Sequence, residues 1–228
     1  AHVTSVILSR LANRDTTVLV SGITGGKSLP AEILDRIIER TDGIPLFAEE
    51  LTKTLLESGL LREEGDSYTL TRPLPPLAIP TSLQASLLAR LDRLMPVKEV
   101  AQIGAALGRE FSYELLAAVA RHNESELREA LDHLTNAGLI FRRGVPPRAT
   151  YTFKHALVQD AAYSTLLRGP RQDLHARIAK VLQDRFAETA EAQPEILAHH
   201  YTQAGLVDLA IEFWRSAGAN SVRRSAHS

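Results

Sequence analysis

Pro73, Pro75, Pro76 and Pro80 crowd one short stretch of a 228-residue chain. Each proline lacks a backbone N–H and fixes its own φ, and each pushes the residue before it out of the helical region. Residues 73–80 therefore read as an extended linker through which neither a helix nor a central strand can run. The segments on either side must fold separately, and a chain of this length has room for several small domains.

Before the linker, residues 3–8 carry Val3, Val6 and Ile7 and read as a strand. Residues 13–24 are ambiguous between helix and a second strand because Thr16, Thr17, Val18 and Val20 favour β structure; helix is the preferred reading. Pro30 then sits where a helix starts, ahead of Ile33, Leu34, Ile37 and Ile38 on one helical face, with Asp42-Gly43 as its stop. Pro45 opens the next helix, through Phe47, Leu51 and Leu55, and Gly59 closes it. Gly65-Asp66, flanked by Leu61 and by Tyr68 and Leu70, predicts a short hairpin.

After the linker, Thr81 caps a helix marked by Leu83, Leu87, Leu88 and Leu91. Pro96, Gly108 and Asn123 divide the next region into short helices, the last carrying Leu127, Ala130, Leu131 and Leu134. Residues 139–143 and 150–153 read as two strands around Gly144-Val145-Pro146-Pro147. Helices followed by such a β wing give the order of a winged-helix domain. From His155 the chain is helical again, and residues 195–219 form two helices meeting at Gly205. Tyr201, Gly205, Ala210 and Ala217 fall near the aromatic and small positions of a tetratricopeptide repeat. One repeat cannot bury its own face, so further repeats are expected beyond Ser228.

The fold class expected is thus mainly α, with aromatics at only 5% and a core built from aliphatic side chains. A formal net charge of −1 provides no overall field for nucleic acid or an anionic membrane. The absence of cysteine excludes a disulfide framework, a thiolate zinc site and a cysteine nucleophile. No apolar run approaches the roughly 20 residues that span a bilayer, and the first ten residues lack the pattern of a signal peptide. A cytoplasmic location without membrane contact is expected, and the start at Ala1 suggests an excised piece.

Gly25-Gly26-Lys27-Ser28 invites a phosphate-loop reading, but the position five residues before Gly26 is Ser21 where that motif needs glycine. Pro30 also falls where a phosphate-binding helix should donate backbone hydrogen bonds, so an interhelical turn is expected. Glu49 and Glu50 are helical neighbours that point about 100° apart and are not expected to act as a catalytic pair. His199-His200 with Glu195 is not expected to bind metal, since adjacent histidines diverge and no third ligand is apparent. The helix before the wing carries Glu124, Glu126, Glu129 and Asp132 against Arg128, which disfavours a DNA-reading role. Arg142, Arg143 and Arg148 on the wing are its basic cluster.

Thr41-Asp42-Gly43-Ile44-Pro45-Leu46-Phe47-Ala48-Glu49-Glu50-Leu51 resembles the Gly-x-Pro motif of STAND signalling ATPases, in the form found in bacterial multidomain proteins where an adenylate cyclase precedes the ATPase. Residues 151–163, Tyr-Thr-Phe-Lys-His-Ala-Leu-Val-Gln-Asp-Ala-Ala-Tyr, resemble the His-containing motif at the end of that family's winged helix. Residues 105–111 and 201–224 are also similar to it, and the motifs follow the family's order over nearly the whole chain. The resemblance implies the end of an ATPase core and a helical lid over residues 1–72, a linker over 73–80, a winged helix over 81–167, and a helical region over 168–228 leading into repeats. It further implies that Pro45 packs on adenine and that His155 contacts the phosphates of ADP in the resting form. Without it, Pro45 reads as a helix N-terminus and His155 as a capping or core residue. The phosphate loop and the Mg²⁺-binding carboxylate would lie before Ala1, so this chain alone is expected to carry no catalytic residue, no metal and no tightly bound ATP or ADP. Its expected partners are the upstream ATPase core, the downstream repeats and a protein held by those repeats. A DNA-binding regulator and a nucleotide-independent scaffold are the alternatives.

Overall fold

The structure is a computed structural model that describes residues 9–73, 79–94 and 97–225, the side chains of residues 224 and 225 excepted. The strand expected at residues 3–8 and most of the expected linker, residues 74–78, lie outside the described residues. The chain forms two compact units that divide after Arg93. Among the described residues they contain twelve helices and five strands, so the expected mainly α class holds. No described helix is long and apolar enough to cross a membrane.

In the first unit, α1 (Asn13–Ile23), α2 (Ala31–Thr41) and α3 (Pro45–Glu57) precede the antiparallel hairpin of β1 (Leu61–Glu64) and β2 (Ser67–Leu70). Val20, Ile33, Ile37, Phe47, Leu51 and Leu55 bring the apolar faces of the helices into one core, which Leu60 and Leu61 join from the hairpin. The break between α2 and α3 is imposed by two residues in left-handed conformation, Asp42 with φ 47° and Gly43 with φ 68°. Glycine is required at the second, because a Cβ there would overlap the carbonyl oxygen of Leu11. That close approach lets the Leu11 N–H donate to the Gly43 carbonyl at 2.8 Å.

One boundary differs from expectation. The helix α4 (Leu83–Arg93), expected to open the winged helix, belongs to the first unit and packs on α3. Leucine spacing marks an apolar face without naming its partner. Charge does the naming here: Arg90 is only 1% exposed, and its Nη1 donates to Glu50 of α3 at 2.5 Å. Its Nε and Nη2 form a two-pronged contact with Glu57 at 3.0 and 2.8 Å. A buried guanidinium needs such carboxylates, and α3 supplies both.

The second unit runs α5 (Lys98–Leu107), β3 (Glu110–Ser112), α6 (Tyr113–Val119), α7 (Glu124–Asn136), β4 (Ile140–Arg143) and β5 (Thr150–Phe153). The three strands form an antiparallel sheet in the order β3-β5-β4. Three helices and a small sheet with a β4–β5 hairpin thus follow one another, without the helix at Leu83 and with β3 beyond the strands expected. That strand has only three residues, too few to show a period in the sequence. It is fixed by Phe111, which stacks on Tyr151 at 5.8 Å between ring centroids. Gly104 allows α5 to approach that ring, since a Cβ there would lie 2.8 Å from it. Asn123 and Glu126 start α7 with a reciprocal capping box.

Five further helices complete the unit: α8 (Ala156–Ser164), α9 (Arg168–Arg185), α10 (Ala187–Ala192), α11 (Pro194–Ala204) and α12 (Val207–Ser225). Gly205, with φ 77°, ends α11 in a left-handed cap and turns the chain into α12, which packs back on α11, as α9 does from its own side. Tyr201 stacks on Phe213 across this turn at 5.4 Å. Leu206, Val207, Leu209, Ile211 and Trp214 remain exposed.

Candidate functional site

Pro45 is the first residue of α3, where its missing N–H goes unneeded and its fixed φ suits the helix. It is exposed, beside the half-exposed Ile44. Next to this turn lies a cavity of about 490 Å³ lined by Arg10, Asn13, Asp35, Glu39 and Gly43, among others. Arg10 pairs with Asp42 at its rim.

His155 sits in the second unit at the junction between β5 and α8. Its backbone is extended, with φ −135° and ψ 146°, and its carbonyl accepts from the Val158 N–H at 3.0 Å, starting the helix. The side chain makes no cap. The residue is half-buried, and its Nε2 is buried without a hydrogen-bond partner among the described residues. A buried polar atom left so costs about 1–3 kcal/mol. The neighbouring motif residues have structural tasks: Tyr151, Phe153, Val158, Ala161 and Ala162 are core, and the Gln159 amide donates to the Ala105 carbonyl at 3.1 Å, tying α8 to α5. His155 is the member of the segment whose ring nitrogen has no such task.

Gly25 and Gly26 form a turn with φ 67° and 85° after α1, not after a strand. The chain then runs along the hairpin: the Ser28 N–H donates to Asp66 at 3.1 Å, and the Tyr68 N–H donates to Ser28 at 2.8 Å. Lys27 pairs with Glu63 on β1. Backbone and ammonium are thus engaged with the hairpin, away from the geometry of a phosphate cradle. Glu49 and Glu50 likewise diverge, Glu49 meeting Lys53 at 2.6 Å and Glu50 turning inward to Arg90. On α7, Arg128 pairs with Glu124 at 2.6 Å, and Arg142 of the wing pairs with Asp132 at 2.8 Å.

His199 and His200, expected to lack a third ligand, have one within reach. His175 of α9 comes to them, and one ligating atom from each of the three lies within 4.8 Å of the others. Nδ1 of His175 is 2.7 Å from Nδ1 of His200, and Nε2 of His175 is 2.9 Å from the Tyr163 hydroxyl. Tyr163 in turn donates to Gln203 Oε1 at 3.3 Å. Burial, with His199 and Arg171 nearby, pushes the His175 imidazole down to about 4. Burial, reinforced by His175 and His199, pushes His200 down to about 3. His199 is exposed, and the trio lines a cavity of about 470 Å³ together with Glu195 and Asp160. Adjacent helical residues do diverge at Cβ, but imidazole length lets ring nitrogens converge again when a third ring arrives from another helix. No local pattern signals this, because His175 stands 25 positions from His200.

No family model matches the chain. It is similar to an uncharacterized protein of Rhizobium meliloti (strain 1021), 31% identical over 200 residues that make up 87% of this chain and 19% of that protein. The chain therefore spans about a fifth of the length of the curated relative it matches.

Proposed function

We propose that this chain is the regulatory switch segment of a cytoplasmic STAND signalling ATPase, which couples the nucleotide state to the position of its winged helix and of the downstream helical repeats. The first unit is then the helical lid, with Pro45 offered to adenine. The second unit then holds the winged helix, with His155 offered to the phosphates of ADP, and the helical region that leads into the repeats. The observation that carries this reading is the buried, unpartnered Nε2 of His155, at the strand-to-helix junction of the motif resembling that family's. A nitrogen kept from water without a partner suits a group supplied from elsewhere, and a phosphate oxygen is such an acceptor when Nε2 carries the proton.

Two further features support it. The relative in Rhizobium meliloti is about five times as long as the region it shares with this chain, which suits a segment of a multidomain protein. Leu206, Ile211 and Trp214 leave an apolar face along the last helix pair, which suits the start of a repeat array. ATP or ADP would bind in the parent protein, with the phosphate loop and the Mg²⁺ carboxylate on its upstream ATPase core. In this reading the hairpin edge at Lys27 has no part in nucleotide binding. The reading is tested by measuring ADP retention and basal output of the full-length protein with and without His155.

A further inference from the structure

We propose that His175, His199 and His200 form a binding site for a first-row divalent transition metal ion, zinc being the probe of choice. The site lies wholly within the second unit and is independent of the nucleotide reading. Two helices build it: α9 supplies His175, and α11 supplies the other two. His175 and His200 are 1% and 3% exposed, so their positions are fixed by packing, while His199 is exposed and free to adjust.

The core of the site is the Nδ1-to-Nδ1 contact of 2.7 Å. Two neutral imidazoles in this arrangement share one proton, which one ring donates and the other accepts. When the donor ring, His200, loses that proton from Nδ1 to solvent and takes one up on Nε2, both rings stay neutral and two lone pairs are directed at a common point between them. A metal at about 2.0–2.1 Å from each nitrogen in tetrahedral geometry needs the nitrogens roughly 3.3–3.4 Å apart. The pair must therefore open by a little over half an ångström, within reach of small ring rotations. His199 then closes from the exposed side; one of its ring nitrogens lies within 4.8 Å of a ring nitrogen of each of the other two.

The surroundings fix the tautomer that coordination needs. The Tyr163 proton goes to Gln203 Oε1, which leaves the Tyr163 oxygen to accept from His175 Nε2–H at 2.9 Å. With the proton on Nε2, the His175 lone pair sits on Nδ1 and points toward His200. Outer partners of this type are the usual support of a metal-bound histidine. The adjoining cavity of about 470 Å³, which Glu195 and Asp160 also line, leaves space for a water as fourth ligand. Three imidazoles favour zinc, copper or nickel over magnesium or calcium, which prefer oxygen.

The test uses the 228-residue chain without an affinity tag of histidines, stripped with a chelator and dialysed. Equilibrium dialysis against micromolar zinc should yield one zinc per chain, and cobalt substitution should produce visible d–d absorption of a nitrogen-rich site. His199→Ala removes an exposed side chain and so spares the core. In that variant zinc affinity should fall at least about tenfold, and the rise in unfolding midpoint on adding zinc should shrink accordingly. Tyr163→Phe should also weaken zinc, by roughly ten- to a hundredfold, through loss of the outer partner. Less than one zinc per chain at micromolar free metal, or equal binding by wild type and His199→Ala, would overturn the proposal and leave the trio a hydrogen-bonded buried pair with a surface neighbour.

Discussion

The Arg90 guanidinium lies buried against the Glu50 carboxylate, 2.5 Å from Nη1 to Oε2, and joins α4 to α3. Both residues are withdrawn from solvent, so neither tolerates the loss of the other. Arg90→Ala should lower the stability of the first unit by about 3–5 kcal/mol, the range for a buried pair that loses one member. Arg90→Met together with Glu50→Leu should recover much of that loss. Denaturant unfolding of the single and double variants measures both, and a small effect of Arg90→Ala would show that α4 is not docked through this pair.

The Gly43 backbone makes a similar demand by a different means. Gly43→Ala places a Cβ against Leu11 and forces a left-handed residue, which alone costs roughly 1–2 kcal/mol. The midpoint of denaturant unfolding should drop by at least that much, whereas Gly25→Ala, with open space around it, should suffer only the backbone term.

His175 and His200 make metal-free stability depend on pH. Both are held neutral in the fold, near 4 and 3, against an ordinary value of 6.5. Between these limits the unfolded chain binds protons that the native chain does not, so stability falls as pH drops from about 6.5 toward 4. Each histidine contributes a slope of about 1.4 kcal/mol per pH unit in that window. The charges around the pair include Arg171, His199, Glu195 and Asp160. Unfolding midpoints of the chelated chain from pH 8 to pH 4 should show this decline, and His200→Gln should reduce its slope by about half, leaving the part due to His175; a flat wild-type profile would contradict burial of neutral rings.

Lys27 should prove dispensable. Its ammonium is engaged with Glu63 on the hairpin edge, and its neighbour Ser28 hydrogen-bonds with Asp66 and Tyr68 of the hairpin. The isolated chain should show no ATP turnover, and Lys27→Ala should leave nucleotide binding by the full-length protein unchanged. ATP turnover by the pure chain that disappears in Lys27→Ala would restore the phosphate-loop reading.

Local punctuation made much of this fold legible. Pro30 and Pro45 open α2 and α3, Asp42-Gly43 separates them, and Gly65-Asp66 turns the hairpin as their backbone preferences require. Position in space was less legible. The leucines of α4 showed a buried face but not that Arg90 would draw it to α3. The strand β3 is too short to alternate, and only Phe111 packing between Tyr151 and Gly104 explains it. The same limit applies to the site residues. Proximity of His199 and His200 was visible, but the arrival of His175 depends on how α9 crosses α11. For His155, the junction between strand and helix could be read from residue types; that its ring nitrogen is buried and unmatched emerged only from packing.

His155 is tested most directly by ADP release from the full-length protein. A hydrogen bond to a charged group is worth about 1.5–3 kcal/mol, so His155→Ala should speed ADP release by roughly ten- to a hundredfold, about 1.4 kcal/mol being a factor of ten. Basal signalling should rise in the same variant without full activation, because complete inversion of a two-state switch takes about 5.5 kcal/mol. Circular dichroism of the variant should match wild type. Unchanged ADP release and unchanged basal output in a folded His155→Ala protein would contradict the nucleotide role and leave His155 a residue of the β5–α8 junction.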